Sequence, residues 1–476
     1  MSGGEALPIT NICCLGAGYV GGPTMAVIAM MCPEINVNVV DINIKKIDEW
    51  NSEDLNNLPV YEPGLSEIIK QCRNRNLFFS NNIKDSIEKS EIIFMAVNTP
   101  TKTYGDGKGM AADLTFIEKS SREILKYSNS DKIVVEKSTL PVRTAEKIKS
   151  ILSSSDKKIN FEVLSNPEFL AEGTAINDLY KSDRVLIGGD ATASGQLAVN
   201  TLVNLYARWI PIDKILTTNV WSSELSKLVS NAFLAQRISS INSVSAICEK
   251  TGADISEVSK AVGMDKRIGK YFLNSSVGFG GSCFKKDILN LVYIAQYYGL
   301  TEVANYWLQV VKINNYQTKR FSKKILKSLY DTVNGKTLSI LGWAFKKDTN
   351  DSRESASIYL TIDLLNEGAY VKIYDPKVDT NRIVSDISNR LKDIGKLEKE
   401  INDILKNQVF IVNDINNSFN ESHAVIILTE WDEFNIIDWE FVFSVMEKPS
   451  FVFDGRRIIK KNILEKIGFN VYVIGS

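Results

Sequence analysis

Cys283 closes a glycine-rich segment, Gly278-Phe279-Gly280-Gly281-Ser282-Cys283, and a helical pattern begins just after it, near Asp287. A thiol near a helix N-terminus is favoured as the thiolate by aligned peptide dipoles and free N–H groups, and Lys285 and Lys286 add positive charge. Nucleophilic attack on a carbonyl carbon is the chemistry such a thiol suits; a buried structural cysteine is the competing reading, and the spacing leaves both open. Asp287 lies four residues on, one turn along the same helical face, where it could orient a water or a lysine. Lys227 and Asn231 repeat that spacing off the apolar stripe of Leu225, Leu228, Val229, Ala232 and Phe233, so they can share a cleft or a solvated face. Glu168 and Glu172 follow a strand ending at Ser165, at the carboxyl end where open sheets bind ligands; helix capping is the alternative for each.

Gly16-x-Gly18-x-x-Gly21 follows a strand and opens a helix, and Asp41 ends the next strand. This is the dinucleotide pattern: glycines admit a pyrophosphate to a helix N-terminus, and a carboxylate roughly 20 residues on accepts from a ribose hydroxyl. Asp41 would repel a 2′-phosphate, which favours NAD over NADP, although Lys45 and Lys46 stand nearby.

The elements that must position these groups can be read from apolar runs. Ile9–Leu15, Val37–Val40, Ile92–Val97, Ile133–Glu136, Val163–Ser165 and Val185–Gly188 are separated by helix-length polar segments, as in a doubly wound parallel sheet. The first domain is expected to end near residue 217. Trp221 to Lys250 contains no Pro or Gly and reads as one long helix, and helical patterns continue to about Leu329. A second βαβ domain begins near Lys336, giving expected domains of 1–217, 218–330 and 331–476. In the last, Gly342 ends a strand but Ala344, Lys346 and Lys347 replace the further glycines; Lys346, Lys347, Arg353, Arg456 and Arg457 could hold a diphosphate or make surface ion pairs. Arg382–Asn407 is expected to be a surface amphipathic helix, and His423 a packed or capping residue.

Composition narrows the function classes. The chain has 476 residues, 44% hydrophobic and 24% charged, with no apolar run of membrane-spanning length and no basic n-region before an apolar stretch, so a cytoplasmic globular protein of two or three domains is expected. Lys plus Arg number 56 against 57 for Asp plus Glu, leaving no net field for a nucleic acid or an anionic membrane. The six cysteines show no framework spacing, and the single histidine excludes a His-rich metal site; no metal is expected.

Together these segments resemble the UDP-glucose 6-dehydrogenase family along essentially the whole chain. The carrying stretches are Cys14-Leu15-Gly16-Ala17-Gly18-Tyr19-Val20-Gly21-Gly22-Pro23, Val97-Asn98-Thr99-Pro100, Glu136-Lys137-Ser138-Thr139, Asn166-Pro167-Glu168-Phe169-Leu170-Ala171-Glu172-Gly173, Gly278 to Cys283, and Phe345-Lys346-Lys347-Asp348. The resemblance implies two Rossmann-like domains joined by a helical middle that carries the dimer contact, and a dimer-based homo-oligomer, often a hexamer. It implies oxidation of UDP-glucose to UDP-glucuronate with NAD, through an aldehyde, a thiohemiacetal and a thioester on Cys283. In that scheme Lys227 and Asp287 hold the oxyanion and a water, Glu168 is the base for hydrolysis, and Thr139 and Asn231 complete the shell. For the cofactor it points to Gly16, Gly18, Tyr19, Val20, Gly21, Asp41, Lys46, Val97, Asn98, Thr99, Thr139, Glu172 and Arg353. For UDP-glucose it points to Glu168, Phe169, Leu170, Lys227, Asn231, Arg267, Phe279, Gly280, Lys346 and Arg456. Asn274 departs from the lysine of animal relatives, and Asn56-Asn57 extends a loop. Dehydrogenases of GDP-mannose or UDP-acetamidosugars, a two-electron dehydrogenase needing no thiol, and an NAD-responsive regulator are the rivals.

Overall fold

The computed structural model describes residues 6–476. They divide into two compact units: residues up to Ser230 with Leu289–Thr301, and Asn231–Ile288 with Glu302–Ser476.

The first unit is built on a sheet of β1 (Asn11–Leu15), β2 (Asn36–Val40), β3 (Leu77–Ser80), β4 (Ile92–Met95), β5 (Lys132–Glu136), β6 (Phe161–Ser165), β7 (Val185–Gly188) and β8 (Ile215–Thr218). Their order is β3-β2-β1-β4-β5-β6-β7-β8. All four residues of β4 are buried, as a strand covered by helices on both faces requires. One apolar cluster, with Ile12, Val37, Phe94 and Val135, packs on one face; another, with Cys13, Ile93, Val134 and Val163, packs on the other.

The first six strands are parallel, as expected for the five of them marked by apolar runs; β3 and β8 lie outside those runs, and β7, expected to be parallel, differs. The pair β7–β8 is parallel within itself but meets β6 antiparallel, at Ser165 and Gly188. The connection between β6 and β7 carries one short helix, Ala175–Tyr180, of 6 residues.

The second unit holds a sheet of β9 (Thr337–Leu341), β10 (Tyr370–Tyr374), β11 (Val409–Ile411), β12 (Ala424–Ile427), β13 (Phe451–Asp454) and β14 (Asn470–Val473), in the order β11-β10-β9-β12-β13-β14 with every pair parallel. This repeats the strand order of the first six strands of the other sheet. The long helix runs over Val220–Thr251, and Thr301–Ser328 forms another. Arg382–Asn407 is two helices, Thr380–Asp393 and Glu398–Asn407, because Gly395 takes a positive φ of 88° and the backbone folds back to Leu391 and Lys392. His423 does pack in place: its Nδ1 accepts from the Thr337 N–H at 3.3 Å. Among the described residues no helix is long and apolar enough to cross a membrane.

Candidate functional site

In the first unit the candidate residues gather at the carboxyl ends of the parallel strands. Gly16 leaves β1 with φ 108°, its N–H donating to Val40 O at 2.8 Å. A Cβ on Gly21 would lie 2.0 Å from Gly16 O, so the chain's own packing requires that glycine. Gly18 is different: a Cβ there would meet nothing within 4 Å. Packing within the chain does not explain Gly18, and the open space there would admit the close approach of a ligand. Val20 precedes the helix Gly21–Met31, whose first turn has no side-chain cap and no acidic residue, a setting suited to an anion. Tyr19 is partly buried against the neighbouring core.

Asp41 follows β2. It accepts from the Ala17 N–H at 3.0 Å, the Asn43 N–H at 2.9 Å and Lys46 Nζ at 3.0 Å. Burial would raise its pKa, but these donors outweigh burial and hold the carboxyl below its ordinary range. Val97, Asn98 and Thr99 follow β4, and Thr139 follows β5; Thr99 Oγ1 donates to Thr139 O at 3.2 Å, and Ser138 Oγ to Val97 O at 2.6 Å. Glu172 lies in the loop before Ala175–Tyr180. This open glycine turn, uncapped helix start and ionised Asp41 fit an adenine dinucleotide without a 2′-phosphate.

Glu168 sits after β6. Its Oε1 accepts from the N–H groups of Phe169 at 2.8 Å and Leu170 at 3.1 Å, and its Oε2 from Lys137 Nζ at 2.9 Å. Burial pushes this carboxyl up, yet the Lys137 ammonium and the two N–H groups more than offset it, so Glu168 is held as a carboxylate. Lys227, 7% exposed, places its Nζ 5.2 Å from the centre of the Phe169 ring, and the Arg184 guanidinium lies 3.9 Å from it. Lys137, Tyr206 and Arg184 were not among the candidate residues. Lys137 stood in the stretch Glu136-Lys137-Ser138-Thr139 without a role, and its position directly after the fully buried strand Lys132–Glu136 was the signal that could have assigned one.

In the second unit the helix begins at Phe284 rather than near Asp287, so Cys283 is the residue flanking a 14-residue helix and its C=O accepts the first bond, from the Asp287 N–H at 2.8 Å. Cys283 is exposed while Cys13, Cys14, Cys32, Cys72 and Cys248 are buried. Burial pushes the Cys14 thiol up to about 12, leaving it inert as a nucleophile. Asp287 is 1% exposed, and its Oδ2 accepts from Asn231 Nδ2 at 2.6 Å. The preceding loop is tightly held. Phe279 exchanges two hydrogen bonds with the Asn314 amide, at 2.8 and 3.0 Å, and Gly281 N–H donates to Arg353 O at 2.9 Å. A Cβ on Gly280 would lie 2.7 Å from Glu354 O. Asn314 is a further supporting residue that spacing could not reveal.

The proposed diphosphate cations are used differently from one another. Arg456 donates to Leu428 O at 2.6 Å and Phe345 O at 2.7 Å, and Arg353 pairs with Asp351 at 2.7 Å. Lys347 pairs with Asp432 at 2.7 Å, whereas Lys346 is partly exposed above the Phe345 ring. Arg267 stands apart. Its side chain is 89% exposed and pairs with Asp265 two residues away. Asn274 is exposed, and Leu55–Asn57 is one turn of 3-10 helix.

Comparison with known proteins accounts for this distribution. Residues 10–210 match the NAD binding domain of the UDP-glucose/GDP-mannose dehydrogenase family, residues 221–316 its central domain and residues 339–461 its UDP binding domain. UDP-glucose 6-dehydrogenase 3 of Oryza sativa subsp. japonica is 55% identical over 475 residues, covering 98% of this chain and 97% of the rice protein. The Bos taurus UDP-glucose 6-dehydrogenase is 56% identical over 471 residues, covering 98% and 93%. A solved UDP-glucose dehydrogenase from the archaeon Pyrobaculum islandicum superposes with a TM-score of 0.79 at 28% identity, over 98% of this chain and 99% of that one. With all three domains matched in order and more than half the residues shared with such relatives, the chain belongs to the UDP-glucose/GDP-mannose dehydrogenase family.

Proposed function

We propose that this protein oxidises UDP-glucose to UDP-glucuronate with NAD, in two oxidations linked by a covalent bond to Cys283. The observation that carries the reading is the exposed Cys283 thiol at the start of a 14-residue helix, with the Asn231–Asp287 pair buried one turn on. NAD, when bound, accepts a hydride at each oxidation. Gly16, Gly18 and the start of Gly21–Met31 are assigned to its diphosphate, Asp41 to its ribose, and Val97, Asn98, Thr99, Thr139, Glu172 and Arg353 to the recognition of the rest of it. The sugar nucleotide is held by Phe169, Leu170, Phe279, Gly280, Lys346 and Arg456.

The chemistry assigned to the chain's own residues follows. The C6 hydroxyl gives its proton to water as C6 loses a hydride, giving an aldehyde. Cys283 thiolate attacks that carbonyl carbon, forming a C–S bond and an oxyanion stabilised by the Lys227 charge. Loss of the second hydride from C6 converts the thiohemiacetal to a thioester. Water, oriented by Asn231 and Asp287, then attacks the acyl carbon; Glu168 takes its proton, the C–S bond breaks and thiolate leaves with UDP-glucuronate free. The thioester tether solves the problem of keeping a half-oxidised sugar while the cofactor is exchanged.

We assign residues 1–217 to cofactor binding, 218–330 to catalysis and subunit contact, and 331–476 to the uridine diphosphate, in a cytoplasmic homo-oligomer. Arg267, exposed and paired with Asp265 of its own turn, is assigned to a neighbouring subunit's sugar-nucleotide site. Arg267→Ala mixed with Cys283→Ala should then regain activity when subunits exchange, and exchange without recovery would remove Arg267 from that role. NADH counted against a panel of nucleotide sugars tests the function: two NADH per UDP-glucose, with NAD preferred over NADP, is expected. One NADH per sugar, or turnover only of GDP-mannose or a UDP-acetamidosugar, would refute it.

A further inference from the structure

We propose that Lys137 is the positioning residue for Glu168, holding it as an oriented carboxylate, and that Asn166 and Tyr206 hold Lys137 in turn. The proposal rests on the reading of Glu168 as the proton acceptor in thioester hydrolysis.

The network is closed and its proton positions are determined. An ammonium has three N–H donors. Lys137 Nζ finds three acceptors: Glu168 Oε2 at 2.9 Å, Asn166 Oδ1 at 2.9 Å and Tyr206 OH at 3.1 Å. Tyr206 OH donates to Asn166 Oδ1 at 2.8 Å, so its lone pairs are free to face the ammonium. Asn166 Nδ2 donates to Leu186 O at 2.8 Å, which fixes which end of the amide points inward. The Lys137 side chain is only 3% exposed, so these bonds replace its hydration.

The consequence falls on Glu168. Its Oε1 accepts two backbone N–H groups, and Oε2 accepts the Lys137 ammonium. A carboxylate oxygen has two lone pairs, so an Oε2 that accepts from Lys137 can also accept from a water, in an orientation set by the three donors that hold the carboxylate. The titratable and charged groups facing the network are Lys137 after β5, Tyr206 ending the helix Ala193–Tyr206, and Cys14 on β1. Lys227 and Arg184 lie across the Phe169 ring. Burial pulls the Lys137 pKa down, but Glu168 and Tyr206 raise it past its ordinary value, so the ammonium persists at working pH. Without it, only the two N–H groups oppose the effect of burial, so the Glu168 pKa rises and the carboxylate that takes the proton from water is depleted on the acid side.

The test follows decay of the Cys283 thioester, accumulated in a single turnover of full-length enzyme with NAD and UDP-glucose and read by mass spectrometry across pH. In Lys137→Met the acid limb of decay should move up by about one pH unit or more, as expected when an opposite charge within hydrogen-bond distance is lost. NADH-dependent reduction of the C6 aldehyde should fall far less than decay does below the limb. Tyr206→Phe, which removes one of the lysine's three acceptors, should move the limb the same way by less; it decides the matter if Lys137→Met does not fold. An ion pair that is merely structural would lower the melting temperature and leave the limb in place, and that result overturns the proposal. A wild-type enzyme that forms no thioester would instead overturn the functional reading on which it rests.

Discussion

The two sheets share the strand order of their first six strands and the same opening turn, yet they use it for opposite ends. Gly16 and Gly342 both leave the first strand with positive φ, 108° and 96°, and both N–H groups donate 2.8 Å to the end of the second strand. The next residue's N–H goes in each case to the aspartate after that strand, Ala17 to Asp41 and Trp343 to Asp375. There the likeness ends. In the first unit the turn passes through Gly18 into a helix at Gly21. In the second, fully buried Trp343 occupies the turn, Asp375 is consumed by donors from Trp343, Ala344, Lys377, Val378 and Trp431, and the helix waits until Ala356. The intervening loop carries Lys346, Lys347 and Arg353. One nucleotide fold thus keeps an open glycine cradle, and the other fills it and presents cations from a longer loop. A fold fixes where ligands approach, at the strands' carboxyl ends, while the turn decides how they are held.

Substitutions in paired positions can break this comparison. The largest effect is expected at Gly342→Ala, where a Cβ would lie 2.3 Å from the Thr429 Cβ at a φ that L residues avoid. Strain and overpacking together should cost about 3 kcal/mol in urea unfolding. Next is Asp454, which ends β13 and accepts from the N–H groups of Arg456, Arg457, Ile458 and Ile459. Asp454→Asn retains a single acceptor oxygen and should lose about 2 kcal/mol, as buried N–H groups go unmatched. Gly18→Ala should leave stability unchanged but raise KM for NAD about tenfold, or ~1.4 kcal/mol; equal loss of stability at Gly18 and Gly342 would erase the distinction between cradle and plug.

The smallest effect is expected at Glu136, the counterpart of Asp454 at the end of β5. Burial first, and then the Glu224 carboxylate, push the Glu136 pKa well above its ordinary value. A raised folded-state pKa means that the group's favourable contribution is complete below its unfolded pKa, roughly 4.3, and is lost as pH rises through the folded value. Glu136→Gln, neutral at every pH, should therefore match wild type in acid and exceed it by about 1 kcal/mol at higher pH. A melting-temperature difference that does not grow with pH would show that Glu136 is not held neutral.

Much of this architecture was legible because it is periodic. Fully buried runs such as Ile92–Met95 announce parallel strands, and the uninterrupted segment from Trp221 to Lys250 announces the long helix. The antiparallel direction of β7 was not legible, since an apolar run reads the same whichever way its strand points, and neither was the break at Gly395, which interrupts an otherwise continuous amphipathic pattern. In the candidate site, Gly18, Asp41 and Cys283 stand at fixed offsets from elements and could be found by spacing. Lys137, Asn166 and Tyr206 could not be assembled that way: they are far apart in sequence and meet only because β5, β6 and the helix Ala193–Tyr206 pack together.

The central claim is that Cys283 carries the sugar between its two oxidations, and Cys283→Ala tests it most directly. Hydride transfer needs no thiol, so the variant should still reduce the UDP-linked C6 aldehyde with NADH. Supplied with UDP-glucose and NAD, it should form no enzyme-bound acyl adduct by mass spectrometry, and UDP-glucuronate should fall by orders of magnitude because nucleophile and tether are lost together. UDP-glucuronate produced by Cys283→Ala at a rate near that of the wild type would contradict the account.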